Sequence, residues 1–90
     1  MENKKLEFKA SGVYFDGARR YEIQISSALD VARYRMTTRH TVGRSEVVRG
    51  RWQKVRRDKK SGYAYITMRG KRLYFRDFKI NWAYQLAFLK

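Results

Sequence analysis

From Tyr63 to Arg76 the chain alternates apolar and polar positions on both sides of Arg69-Gly70. Side chains on a strand alternate faces, and Gly accepts the positive φ of a two-residue hairpin turn, so this stretch predicts a β-hairpin. Counting outward pairs Met68 with Lys71, Thr67 with Arg72, Ile66 with Leu73 and Tyr65 with Tyr74. Ala64 then meets Phe75, and Tyr63 meets Arg76. One face collects Ala64, Ile66, Met68, Leu73 and Phe75, with Lys71 at the turn end. The other collects Tyr63, Tyr65, Thr67, Arg72, Tyr74 and Arg76. The first is a core face; the second interleaves rings with guanidinium groups.

Leu6 to Ile25 reads as a longer hairpin about Asp16-Gly17, pairing Tyr14 with Arg19, Gly12 with Tyr21, Ala10 with Ile23 and Phe8 with Ile25. Gly12 inside the strand marks a bulge or a close backbone approach. Ser27 and Asp30 have the spacing of a capping box, which predicts a helix from Ala28 to about Met36 or His40, with Gly43 as its stop. Leu29, Ala32 and Met36 share one side of that helix; Arg33, Arg35 and Arg39 lie on others. Glu46-Val47-Val48 is too short to assign. Arg51 to Arg57 predicts a strand, which the loop 58–62 joins to the second hairpin as a three-stranded meander. In the last stretch Ile80, Trp82, Tyr84, Leu86 and Phe88 alternate like a strand, while Trp82, Leu86 and Leu89 have helical spacing. A helix is favoured, with Asn81 as N-cap. Either form is apolar on more than one side, which offers a surface to a second copy or to another protein. The expected architecture over residues 1–90 is one small α+β domain: hairpin, short helix, three-stranded antiparallel meander and C-terminal helix.

Composition sharpens this in two ways. Ninety residues with 43% hydrophobic and 16% aromatic side chains suffice for one modest core. Cysteine is absent and histidine occurs once, at His40, so a thiolate metal site and a Cys-His nucleophile pair are excluded within one chain. The carboxylates are spread singly: Asp16 in a turn, Asp30 at a cap, Asp58 in a loop. No Gly-rich phosphate loop is present. These features predict a protein without catalysis, metal or cofactor. No run approaches the roughly 18 apolar residues of a membrane span, and no signal-peptide pattern follows Met1, so a cytoplasmic protein is expected.

Charge is the dominant global feature. Twenty-two Lys and Arg against eight Asp and Glu give +14. Self-repulsion on that scale opposes compaction, and a polyanionic partner relieves it. Eleven cations fall between Arg33 and Lys60, against only Glu46 and Asp58. Arg33, Arg35, Arg39, Arg49, Arg51, Lys54, Arg56, Arg57, Lys59 and Lys60 are therefore the candidate phosphate contacts. On the second hairpin, Tyr63, Tyr65 and Tyr74 could stack unpaired bases. Alternatively, the meander could enter the major groove of a duplex, with Arg72 and Arg76 reading guanine and Thr67 meeting a thymine methyl. A third reading packs these tyrosines as core, and Trp52 fits a core position better than a stacking platform. The expected partner is nucleic acid, DNA ahead of RNA, for a phage or mobile-element regulator. The rival expectation is an interaction module that inhibits a host protein by docking on its acidic surface.

Two resemblances bear on this. Arg51-Trp52 through Gly62-Tyr-Ala-Tyr-Ile-Thr-Met-Arg-Gly-Lys-Arg-Leu-Tyr-Phe75, followed by the apolar 82–88 segment, resembles small DNA-binding modules found beside phage HNH homing endonucleases. It is also similar to the three-stranded-sheet-plus-helix readers of the integrase and plant APETALA type. The resemblance covers about the C-terminal half and implies duplex contacts from the basic sheet face, including Arg72 and Arg76. Gly12-Val-Tyr14, Tyr21-Glu-Ile23, Ser26-Ser27, Arg33 and His40 resemble the hairpin-plus-helix opening of GIY-YIG nucleases, where an arginine on the first helix assists phosphodiester cleavage. The second motif lacks its glycine, and no glutamate follows on a later helix to hold a metal, Asp77 being the only late acid. That resemblance implies the opening of such a fold without its activity.

Overall fold

Two antiparallel sheets share one buried cluster in the computed structural model, which describes residues 7–39 and 43–88. The large sheet contains β1 (Gly12–Asp16), β2 (Arg19–Ile25), β3 (Val31–Arg39), β4 (Ser45–Arg49) and β5 (Gln53–Lys54). The small sheet contains β6 (Arg56–Arg57), β7 (Ala64–Met68) and β8 (Lys71–Tyr74). A 3-10 turn (Phe75–Asp77) then returns the chain to the large sheet as β9 (Lys79–Ile80), and α1 (Trp82–Phe88) closes it. The order in the large sheet is β4-β3-β2-β1-β9, with β5 also pairing β3; the small sheet runs β6-β7-β8. The protein is a strand-rich α+β fold.

The second hairpin folds as its pattern predicts. Tyr65 faces Tyr74, Ile66 faces Leu73, Thr67 faces Arg72 and Met68 faces Lys71. Arg69 and Gly70 both adopt positive φ (51° and 84°), as a type I′ turn requires. The ladder stops at Tyr74, and Phe75 turns inward instead of pairing with Ala64. Phe75 is fully buried and meets Phe88 of α1 edge-on at 4.9 Å. The C-terminal helix thereby covers the end of the core.

The first hairpin differs from expectation by two residues. Tyr14 pairs with Tyr21 and Asp16 with Arg19, so the turn is Gly17-Ala18 and not Asp16-Gly17. Gly17 takes positive φ (62°) at the first central position, the type II′ arrangement, whereas the expected register placed glycine second. Because two is an even shift, every side chain keeps its face. Gly12 is a close approach: a Cβ there would lie 2.9 Å from Ile80 Cγ1, where β9 pairs with β1.

The expected helix over 28–36 is replaced by a strand. Ser26, not Ser27, organises the turn: its Oγ accepts from the N–H groups of Asp30 and Val31 and donates to Asp30 Oδ1 at 3.0 Å. The chain then runs as β3, in which Ala32, Tyr34 and Met36 are buried while Arg33, Arg35 and Thr37 face the other way. This period of two, together with β-branched Val31, Thr37 and Thr38, suits a strand flanked on both sides. Its partners β2 and β4 satisfy the backbone on each edge. The expected helix end at His40 lies outside the described residues.

The predicted strand over 51–57 is divided between the sheets. Arg35 pairs with Arg49 but Ala32 with Gln53, so three residues, 50–52, oppose two, Arg33 and Tyr34. That is a β-bulge. Gly50 sits against the Tyr34 ring with no room for a Cβ. Past the bulge, Val55 donates its N–H to Asp30 O, and the next two residues pair with β7. The chain thus changes sheets at one residue. Ile23, Tyr21 and Met36 from the large sheet join Ile66, Met68 and Leu73 from the small one in the shared core.

Candidate nucleic-acid interface

Each sheet turns one face to that core and the other outward, and the outward faces hold most of the predicted site. On the large sheet the row Lys79–Val13–Glu22–Arg35–Arg49 lies beside the row Phe15–Arg20–Thr37–Val47. Arg33 and Arg39 continue the same side of β3. Arg35 Nε donates to Glu22 Oε1 at 2.9 Å, and Arg33 Nε donates to Gln24 Oε1 at 2.8 Å. The N-terminal segment crosses here: Phe8 receives the Arg35 guanidinium at 4.5 Å and that of Arg33 at 5.3 Å. Trp52, lifted by the bulge, lies 4.8 Å from the Arg33 guanidinium and is more than a third exposed, so it is not the core residue expected. Arg39 and Arg49 are exposed and have no carboxylate within 4 Å among the described residues.

The outward face of the small sheet is organised by Asp58. Its Oδ1 accepts from the N–H groups of Lys60 (2.7 Å) and Ser61 (3.0 Å), which closes the loop after β6. Its Oδ2 accepts from Arg72 Nη1 at 2.9 Å and from the Tyr74 hydroxyl at 3.1 Å. These bonds, those from the Ser61 and Lys60 backbone foremost, lower its pKa from 3.8 to about 2. Arg72 also donates to Tyr74 Oη and lies 4.3 Å over the Tyr65 ring. The Tyr74 hydrogen bond raises the Arg72 pKa above its ordinary value, which already keeps an arginine charged. Gln53 extends the sheet beyond β6: its amide accepts from Thr67 N at 2.8 Å and donates to Thr67 O at 2.9 Å, as a strand neighbour would.

Lys54, Arg56, Tyr65, Thr67 and Arg72, with Gln53 and Gly70, line an open cavity of about 520 Å³. A second, of about 390 Å³, adjoins it and adds Arg57, Asp58, Lys59 and Lys60 to Arg56, Tyr65 and Arg72. The only acid along both is Asp58, already committed to four donors.

Several predicted residues are placed differently from one another. Arg57 belongs to the inward parity of β6, donating to Gly62 O at 2.8 Å and Ala87 O at 3.0 Å, so it ties α1 to the small sheet. Tyr65 is buried beneath Arg72 and against Tyr74, whose ring lies 5.4 Å away. Tyr63 is exposed, with the Arg76 guanidinium 4.5 Å over its ring, and these two share a small hollow of about 250 Å³ with Ser61, Tyr74 and Asp77. Arg51 projects from the bulge. Sequence reasoning missed Phe15, Arg20 and Lys79, which the large sheet brings beside Arg35, Arg39 and Arg49. The outward parity of the first hairpin was the signal for Phe15 and Arg20, whereas Lys79 joins them only through the pairing of β9 with β1. The roles of Gln53 and of Asp58 as anchors had none.

Arg33 stands on a strand, where the GIY-YIG resemblance implies a helix. Among the described residues no three metal-ligating side chains converge, and no helix is long and apolar enough to cross a membrane. No known protein family, curated protein or solved structure matches this chain.

Proposed function

We propose that this protein binds nucleic acid, duplex DNA foremost, through the outward faces of its sheets and without catalysis. The observation that carries the reading is the small-sheet face, where Arg56, Lys59, Lys60 and Arg72 surround a single, fully engaged carboxylate and Lys54 of the adjoining β5 lines the neighbouring cavity. A surface serving solubility alone would mix signs. Phosphate contacts supply the affinity. Arg72, held through Nη1 by two acceptors and stacked on a ring, is set to present its remaining N–H groups to a phosphate or to guanine. Duplex is favoured over base stacking because Tyr65 is buried and Arg76 already occupies one face of the exposed Tyr63 ring.

Fluorescence anisotropy with labelled duplex DNA, single-stranded DNA and RNA tests the reading. Duplex affinity should fall steeply with salt, with a log–log slope of about −5 if roughly six phosphates are neutralised. Arg56→Glu with Lys60→Glu should weaken all sequences alike. Absence of binding to every polymer at low salt would sink the proposal. A second reading, docking on an acidic protein, draws on Trp82 and Leu86, which are 75% and 65% exposed one helical turn apart on α1. It predicts that Trp82→Ser abolishes partner binding and leaves polymer affinity intact.

A further inference from the structure

We infer that one molecule holds two duplex segments at once, one on each sheet, and so bridges them. This rests on the nucleic-acid reading above and goes beyond it in valency. The two outward faces point away from a common core, and both are cationic. The large sheet presents Arg39, Arg49 and Lys79, with Glu22 held by Arg35 at 2.9 Å and by Arg20 at 3.9 Å. The small sheet presents Arg56, Lys59, Lys60 and Arg72, with Asp58 taken up by its donors, and Lys54 of β5 stands at the seam between the two sheets. A protein serving one duplex gains nothing from a second cationic face, which costs self-repulsion across the core.

A single duplex cannot use both faces. The molecule measures 41 × 39 × 25 Å, so two of its dimensions exceed one turn of duplex, about 34 Å. Reaching both faces would require the DNA to reverse direction around this small body, whereas duplex is stiff over about 150 bp. Two segments, each lying on its own sheet, satisfy both faces without bending. The protein between them also separates the phosphate charges that would otherwise repel.

The test is a capture assay. Biotinylated duplex on beads is incubated with the full chain, washed, and offered a fluorescent duplex that carries no biotin. The wild-type protein should retain the fluorescent duplex. Arg39→Glu/Arg49→Glu on the large sheet, and separately Arg56→Glu/Lys60→Glu on the small sheet, should each still bind duplex in solution with reduced affinity. Each should lose capture to background. Trp82→Ser/Leu86→Ser should capture as the wild type does, because bridging needs no protein dimer.

Three results would overturn the inference: wild-type protein that binds duplex in solution but captures none, a one-face variant that captures as well as wild type, or loss of capture in the Trp82/Leu86 variant. The first leaves the nucleic-acid reading intact and confines it to one face. Absence of any solution binding removes both. Circular dichroism melts of each variant confirm that a lost signal is not lost folding.

Discussion

The two outward faces solve the same problem, holding arginines beside rings, by opposite means. On the small sheet the parts are close in sequence: Asp58, Tyr65, Arg72 and Tyr74 belong to one meander, and a single carboxylate fixes loop, hydroxyl and guanidinium together. On the large sheet the clamp is assembled from distant segments. Phe8 arrives from the N-terminal side, Trp52 from the bulge and Glu22 from β2, all converging on Arg33 and Arg35 of β3. A locally built site is set as soon as its hairpin forms. A site gathered from three segments is set only when the whole sheet is in register. On the nucleic-acid reading proposed above, the small-sheet face is therefore the more rigid contact surface, and the large-sheet face the more adaptable.

The sharpest contrast should come from removing a ring on each side. Tyr65→Ala empties a buried site under Arg72 and should cost about 3 kcal/mol of stability, measured by urea unfolding. If the cost is under ~1 kcal/mol, the ring is not the floor of that face. Acid should come next. Because Asp58 is depressed to about 2, its contribution is full above its ordinary value of 3.8 and is lost as pH falls through that interval. Thermal melts from pH 5 to about 2 should thus show a drop that Asp58→Asn removes, while Glu22→Gln leaves it in place. An unchanged profile for Asp58→Asn would place the acid sensitivity elsewhere.

Smaller effects sharpen the distinction further. Tyr74→Phe keeps the ring but removes a bond from Arg72 and a bond to Asp58, at about 1 kcal/mol. It should also weaken duplex binding, since Arg72 is then less firmly placed. Phe8→Ala on the large sheet should cost about 0.5–1 kcal/mol and change duplex affinity least, because it releases arginines that remain held by Glu22 and Gln24. If Phe8→Ala lowers affinity more than Tyr74→Phe, the order of rigidity between the faces is reversed.

What could be read along the chain divides by range of interaction. The hairpin at Arg69-Gly70 was legible to the residue because its turn chemistry and alternation agree. At Gly17 the turn chemistry admitted two registers, and only cross-strand packing of Tyr14 on Tyr21, rings 5.6 Å apart, selects one. Residues 28–36 carry both a helical spacing (Leu29, Ala32, Met36) and a period of two (Ala32, Tyr34, Met36). The open edges of β2 and β4 decide between them, and those partners are not local. The same holds for the site. The cations themselves were evident from charge alone, but their assignment to two faces depends on β3 being a strand and on the crossing at Val55. Arg57 shows this most plainly: it adjoins Arg56 in sequence and faces the other way.

That crossing has a consequence for how the protein tolerates change. Lys54 is paired in one sheet and Arg56 in the other, with Val55 alone between them. The segment behaves like a reading frame shared by two messages. One added residue there would shift the parity of everything downstream on that edge, turning Arg57 to the outward face and Arg56 to the side where Arg57 now meets Ala87 O. Two added residues would restore it. Length at this single position, more than the identity of any one side chain, governs whether the two charged faces coexist.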